Sequence, residues 1–201
     1  MYIIGLTGGI GSGKTIISKI FKNLGIAVYN SDIEAKKLMN SDFDIINKLK
    51  MVFGYDIYNE KNQLNKKKLA ELIFNNKDKL NTVNTIVHPA VKKHFNNWVI
   101  KQTTPYVIKE TAILFESGIY KDVNKIITVT APLKLRIKRI SERDNISEDD
   151  IMQRINKQTD DNFKIHNSDF IINNNEFELT IPQIFKIHNK ILKIINETNN
   201  N

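Results

Sequence analysis

The sequence predicts an α/β fold, a doubly wound parallel sheet of five strands with an all-helical insertion, and three observations predict it. Short apolar runs alternate with segments of helical periodicity, the rhythm of strand-helix-strand units whose sheet is covered on both faces. A glycine-rich bend separates the first apolar run from the first helical stripe, and the stretch 42–101 between the second and third runs shows helical stripes and no strand pattern.

Taken in order, residues 2–7 (YIIGLT) read as a strand and 8–13 as the bend, followed by a helix with Ile17, Ile20, Phe21 and Leu24 on one face. Gly25 stands where a helix stop belongs. Residues 26–29 form a second strand ended by Asp32, and Ser31 or Asp32 can cap the helix running on to Met39. Within the helical stretch, Phe43, Ile46, Leu49 and Phe53 share a stripe. Leu69, Leu72 and Ile73 make another, and Leu80, Val83, Ile86 and Val87 a third. His88-Pro89 marks a break between two helices, because proline disfavours helical backbone in the residue before it. Strands return at 106–108 and 125–130 (KIITVT), apolar runs of the length of a buried parallel strand. Pro132 opens a helix at its tolerated first position. Ser147, followed by Glu148, Asp149 and Asp150, caps a helix carrying Ile151 and Ile155. A strand at 170–172 and a helix at 182–195 complete the chain, with an Asn-rich tail expected to fray. No repeat or linker divides it, so 1–201 is read as a single domain.

Composition narrows the function. The chain has 201 residues, 41% hydrophobic and 26% charged, with no apolar run near the ~20 residues a bilayer requires. Met1 leads into a strand without the charged and apolar regions of an export signal, so a cytoplasmic protein is expected, with no membrane partner. The absence of cysteine excludes disulfides, thiolate metal sites and cysteine nucleophiles, leaving oxygen or imidazole for any metal. Thirty basic residues against 22 acidic ones, a net charge of +8, raise the question of nucleic acid. The excess is spread through Lys-, Asn- and Ile-rich segments such as INKLK and NKKKL, which reads as compositional drift. No aromatic-flanked platform for stacking bases is visible, so small-molecule partners and no specific nucleic acid are expected. A monomer is the simplest expectation, with an oligomer left open.

Residues 8–15 (GGIGSGKT) fit the pattern GxxxxGK[ST] at every fixed position, directly after a predicted strand and before a predicted helix. Phosphate oxygens need several N–H donors from a closely approached backbone, and glycines permit that wrap while the helix N-terminus adds positive potential. Gly9, Ile10, Gly11, Ser12, Gly13, Lys14, Thr15 and Ile16 are therefore the predicted ATP-binding residues. Lys14 supplies a mobile charge for the β- and γ-phosphates, and the Thr15 hydroxyl is placed to coordinate Mg²⁺. A plain glycine turn with a surface lysine is the bland reading, and the flanking strand and helix weigh against it. The guanine-reading NKxD is absent, since neither Asn47-Lys48 nor Asn65-Lys66 is followed by the required aspartate. YVIKE is a poor match to the acid-terminated strand of translocating ATPases, and the pair Lys109-Glu110 has no reading from sequence.

GLTGGIGSGKT, Asp32 at a strand end, His88-Pro89, Leu114-Phe115-Glu116 and Arg139-xxx-Arg143-Asp144 stand in the order found in dephospho-CoA kinases. The chain resembles that family from residue 2 to about 195. The resemblance implies transfer of the ATP γ-phosphate to the ribose 3′-hydroxyl of dephospho-CoA, completing coenzyme A. It implies a nucleotide-kinase-like P-loop fold with a core (about 1–40, 103–135 and 168–201), an acceptor-binding helical insertion (about 41–102) and a lid (about 136–167).

Residue by residue, the resemblance makes Asp32 the group that accepts or orients the proton of the attacking hydroxyl, with a helix N-cap as its plainer role. The family's usual Asp-x-Asp is here Asn30-Ser31-Asp32, which retains only the second acid. His88 falls beside the acceptor site, although a packed histidine is an equally ordinary reading. Lys66 stands where the family tends to carry an arginine for the acceptor's anionic groups, and a solvated lysine run explains it as well. Leu114 and Glu116 line the acceptor crevice by the same resemblance, Glu116 orienting the ribose or a metal-bound water. Arg136, Arg139 and Arg143 lie three and four residues apart on one helix face and can converge on one anion. Arg143 is the first choice to stabilise the transferring phosphoryl group and Arg139 the second. Arg136, where the family usually has Gln, reads as an ordinary solvated face. Lys164 falls at an often basic position, Arg154 and Gln158 shape the hinge of the lid, and Asn174 borders the adenine. Two alternatives stay open: a kinase of the same fold for another hydroxyl or nucleotide acceptor, and an ATP-regulated nucleic-acid-binding protein.

Overall fold

The structure, a computed structural model, describes residues 1–74 and 76–199. Along the chain run β1 (Tyr2–Gly8), α1 (Lys14–Asn23), β2 (Ala27–Asn30), α2 (Ser31–Ser41), α3 (Phe43–Phe53), α4 (Lys66–Ile73) and α5 (Lys77–Val99). They are followed by β3 (Tyr106–Glu110), β4 (Lys125–Thr130), α6 (Leu133–Asp144), α7 (Glu148–Asn156), α8 (Asp161–His166), β5 (Phe170–Asn173) and α9 (Thr180–Asn199). The chain divides into two compact units, Met1–Asn30 with Gln102–Asn201, and Ser31–Lys101. No helix among the described residues is long and apolar enough to cross a membrane.

The first unit holds a five-stranded sheet in the order β2-β3-β1-β4-β5, every pairing parallel. From β1 the chain crosses to the β2 edge and returns through β3, then continues on the other side of β1 to β4 and β5. The direction of winding therefore reverses at the central strand, and the loop leaving β1 opens where doubly wound sheets bind ligands. One face of the sheet packs Ile4, Leu6, Ile108, Ile127, Val129 and Ile172 against Ile17 and Phe21 of α1 and Ile184, Ile187 and Ile191 of α9. Each such buried side chain contributes roughly 1.5–3 kcal/mol relative to its exposed state, and together they orient α1 behind the loop.

Strand β3 runs two residues further than its apolar pattern shows, because Lys109 and Glu110 are themselves buried in it. Glu110 pairs in register with Leu6 and Asn30 and accepts the Ser18 hydroxyl at 2.6 Å. The ladder continues as the Thr111 amide bonds the Leu6 carbonyl at 3.0 Å. Pro132 is the N-cap of α6, with φ −53° and ψ 139°, rather than its first helical residue. Helix α9 begins two residues before Pro182 and continues to Asn199, and the rest of the expected frayed tail lies outside the described residues.

The second unit is helical and begins at Ser31, because α2 packs with α3 and α5. Asp32 is thus not a strand end: β2 stops at Asn30, and Asp32 lies in the first turn of α2. Helix α5 is continuous through Pro89, against the expected break at His88-Pro89. Proline inside a helix removes one hydrogen bond and costs ~3 kcal/mol. The stripe Val83, Val87, Val91 and Phe95, buried on both sides of it, outweighs that cost. In α3, Ile45, Ile46 and Leu49 are buried while Phe43 is 72% exposed, so Phe43 leaves the expected stripe.

Candidate active site

The loop after β1 closes on itself through the Ser12 amide, which bonds the Gly9 carbonyl at 3.1 Å. Gly13, at φ 98°, turns the chain into α1 in a left-handed conformation that side chains rarely adopt. The first-turn amides of a helix have no intrahelical acceptor, and no acidic residue in the first turn of α1 cancels its positive end. Lys14 Nζ donates to the carbonyls of Gly8 (2.7 Å) and Gly9 (3.3 Å), which arches its side chain over the loop. Thr15 and Ile16 are both exposed at this helix start.

Distant segments hold the loop. Asn174, at the end of β5, donates from Nδ2 to the Ser12 carbonyl at 2.8 Å, and its own carbonyl accepts from Arg139 at 3.3 Å. A Cβ on Gly13 would come within 2.1 Å of that Asn174 nitrogen. At the tip, the Ile10 amide donates to Gln158 Oε1 at 2.8 Å and the Ile10 carbonyl accepts from Arg136 Nε at 2.8 Å. Arg136 is only 3% exposed, and a Cβ on Gly9 would come within 2.3 Å of its guanidinium. The sequence reading of Arg136 as a solvated face is therefore corrected: its side chain is built into the loop.

Behind Arg136 lies a cluster of charges. Asp161, the first residue of α8, forms an ion pair with Arg136 and stands 3.7 Å from Lys164 Nζ. Lys164 is fully buried, and among the described residues its ammonium makes no close hydrogen bond beyond its longer ion pair with Asp161. Burial pushes its pKa below the usual lysine value, against the upward pull of Glu116 and Asp161. Glu116 accepts the Thr159 amide at 2.7 Å, and Phe115 meets Phe163 of α8 edge to face with centroids 5.6 Å apart. The Leu114-Phe115-Glu116 segment thus joins 159–164, while Leu114 itself is fully buried over Gly5 and serves packing rather than a binding surface.

The three α6 arginines do not converge. Arg136 takes the loop tip, Arg139 takes Asn174, and Arg143 forms a two-pronged ion pair with Asp144 at 2.7 and 2.9 Å. Asp144 raises the Arg143 pKa and is itself held below the usual carboxylate value. Arg154 also reaches Asp144, at 3.3 Å. In the helical unit, Asp32 is half-buried. His88 is half-buried within α5, and burial lowers its pKa, which keeps the imidazole neutral near pH 7. Lys66 is exposed at the first position of α4, where Asn65 caps the helix through the Lys68 amide.

Comparison with known proteins decides the family. The family model for dephospho-CoA kinase (CoaE) matches residues 2–178. The chain belongs to the dephospho-CoA kinase family. A dephospho-CoA kinase of Bacteroides fragilis is 40% identical over 185 residues, covering 92% of this chain and 90% of the relative. The solved dephospho-CoA kinase of Campylobacter jejuni superposes with a TM-score of 0.70 at 26% identity, covering 95% and 97% of the two chains. Shikimate kinase of Acinetobacter baumannii shares the fold, with a TM-score of 0.55 at 16% identity over 96% and 94% of the chains.

For a member of the dephospho-CoA kinase family, the sequence names the loop and its lysine from eight contiguous positions. It does not indicate the Arg136-Ile10-Gln158 contacts or Asp161, whose partners are 126, 148 and 25 residues apart. The two glycines at 9 and 13 were the available signal, because a glycine can mark where another side chain must come close.

Proposed function

We propose that this kinase transfers the γ-phosphoryl group of ATP to the ribose 3′-hydroxyl of dephospho-CoA, yielding coenzyme A and ADP. The observation that carries this reading is the loop between β1 and α1, with Lys14 arched over it, in a chain of this family. A hydroxyl oxygen attacks the γ-phosphorus, the bond to the β–γ bridging oxygen breaks, and the hydroxyl proton passes to the Asp32 carboxylate. Lys14 follows the charge moving onto the bridging oxygen, Arg139, held beside the loop through the Asn174 carbonyl, stabilises the equatorial oxygens, and Arg143 joins it when closure of segment 136–167, the lid, releases it from Asp144. The exposed Thr15 hydroxyl, a hard oxygen donor, is the residue that would hold Mg²⁺. Among the described residues no three or more His, Cys, Asp or Glu are grouped so that they could hold a metal ion. When bound, Mg²⁺ neutralises charge on the β- and γ-oxygens.

Lys66 and His88, in the helical segment 41–102, and Glu116, in the segment after β3, are assigned to the acceptor. Lys66, Lys67 and Lys68 crowd the start of α4, where the helix dipole disfavours cations. Lys68 is paired with Asp56, whereas Lys66 and Lys67 stand exposed, where an anionic acceptor would stabilise them. Ile16 and Asn174 complete the nucleotide side.

Incubation with Mg²⁺, ATP and dephospho-CoA, with shikimate, AMP and no acceptor as comparisons and product identification by mass, tests the reading. Coenzyme A is expected only with dephospho-CoA. Folded Lys14→Ala and Asp32→Asn variants should lose roughly 10²–10⁴ in kcat. ADP formed only with another acceptor would overturn the substrate assignment.

A further inference from the structure

Both main-chain groups of Ile10, at the tip of the phosphate loop, are bonded to side chains from the segment that follows β4. Gln158 takes the amide and Arg136 the carbonyl, each at 2.8 Å. We propose that Arg136 and Gln158 are positioning residues of the phosphoryl transfer: they hold the loop in its nucleotide-binding shape, and Asp161 orients Arg136 for that task. The inference rests on the reading of residues 8–15 as the ATP phosphate site.

Four observations carry it. A loop with glycines at 8, 9, 11 and 13 has a large conformational entropy to lose before its amides can converge on an anion. Fixing its tip beforehand leaves less of that loss to nucleotide binding. Secondly, Arg136 is 3% exposed, and a guanidinium withdrawn from water is costly unless its donors are satisfied. Its donors go to Ile10 and to Asp161, and a solvated face would need neither. Thirdly, the Gly9 backbone lies so close to the guanidinium that a Cβ would stand 2.3 Å from it, so loop and arginine are fitted to each other. Fourthly, Gln158 also reaches the Ala112 carbonyl at 3.5 Å, and its neighbour Thr159 is held by Glu116. The residue that grips the Ile10 amide is thus itself anchored. The Ile10 amide is bonded to Gln158 and the Ser12 amide to Gly9, so both are fixed within the loop. Lys14, bonded to the Gly8 and Gly9 carbonyls, and the start of α1 then take their geometry from a tip that stays in place.

The test compares wild type with Arg136→Met, Arg136→Lys and Gln158→Leu. It uses ATP titration by calorimetry, KM for each substrate with kcat, and hydrogen exchange of the Ile10 amide in the nucleotide-free protein. Met and Leu remove the hydrogen bonds at similar volume, and Lys keeps the charge without the planar fork. The expected result is an ATP dissociation constant raised about tenfold or more in all three variants. KM for ATP should rise while KM for dephospho-CoA stays unchanged, and Ile10 exchange should quicken in Gln158→Leu. If wild type does not bind ATP, the reading of the loop itself falls. If wild type binds ATP and the folded variants bind it within twofold, the positioning role is overturned. Equal losses toward both substrates would also overturn it, in favour of a merely structural role. Should Arg136→Met fail to fold, the uncharged Gln158→Leu variant decides alone.

Discussion

Gly13 shows how one position serves two requirements. Its backbone, at φ 98°, lies where a side chain is strained, and Asn174 Nδ2 stands 2.1 Å from where a Cβ would be. Gly13→Ala should therefore destabilise the protein by about 1–3 kcal/mol and weaken ATP binding by more than tenfold. Urea midpoints and an ATP titration check both, and unchanged values would show that Asn174 moves freely. Gly9 is different, because a neighbour rather than its own φ imposes the glycine. Gly9→Ala should displace the Arg136 guanidinium and resemble Arg136→Met in its ATP affinity, with less loss of stability. At this scale the sequence speaks through contiguity: Lys14, Thr15 and the glycine spacing are legible because they stand together in one loop. Arg136 is not legible, because nothing beside it in the chain distinguishes a buried arginine from the solvated Lys134 and Lys138 around it.

Helix α5 carries a proline that local rules would place at a boundary. Pro89→Ala restores one intrahelical hydrogen bond and removes a ring clash, while it loosens the unfolded chain by about 0.4–1 kcal/mol. The net expectation is a gain of about 2–2.5 kcal/mol, read as a higher urea midpoint at unchanged slope. A loss would mean that Pro89 packs in a way that alanine cannot replace. Helix α8 offers the opposite case. Its N-cap Asp160 accepts the amides of Asn162 (2.8 Å) and Phe163 (3.2 Å), so Asp160→Ala should lower stability by ~1 kcal/mol. Because Asp161 opens the same helix, that variant should also weaken ATP binding if Arg136 is oriented as proposed. Helical periodicity identified the right stripes but not their ends. It assigns a face to Phe43 without telling how far along the helix a neighbour reaches.

At the scale of the whole molecule, acid should act through histidines folded in their neutral form. Burial lowers the pKa of both His88 and His188, and His188 Nδ1 lies 2.7 Å from the Tyr106 hydroxyl. The unfolded chain, with histidine near its ordinary 6.5, then binds more protons than the folded one just below that value. Stability is therefore fully present above pH 6.5 and is lost as the pH falls toward the folded values. Urea midpoints between pH 7.5 and 5.5 should decline, and His188→Phe should flatten part of the slope. An unchanged slope in that variant would remove His188 from the account.

Sequence alone determined the fold class, the positions of the five strands to within a few residues, and the phosphate-loop motif at residues 8–15. Each depends on local information: hydrophobic period, turn-forming glycines and a contiguous phosphate motif. Only the tertiary structure decided the strand order β2-β3-β1-β4-β5 and the satisfaction of Glu110 by Ser18. It alone decided the burial of Lys164 and the capture of Ile10 by Arg136 and Gln158. The reason is physical: whether a charged side chain lies in water or in the interior depends on partners far away in the chain, and no period or spacing in its own neighbourhood records them.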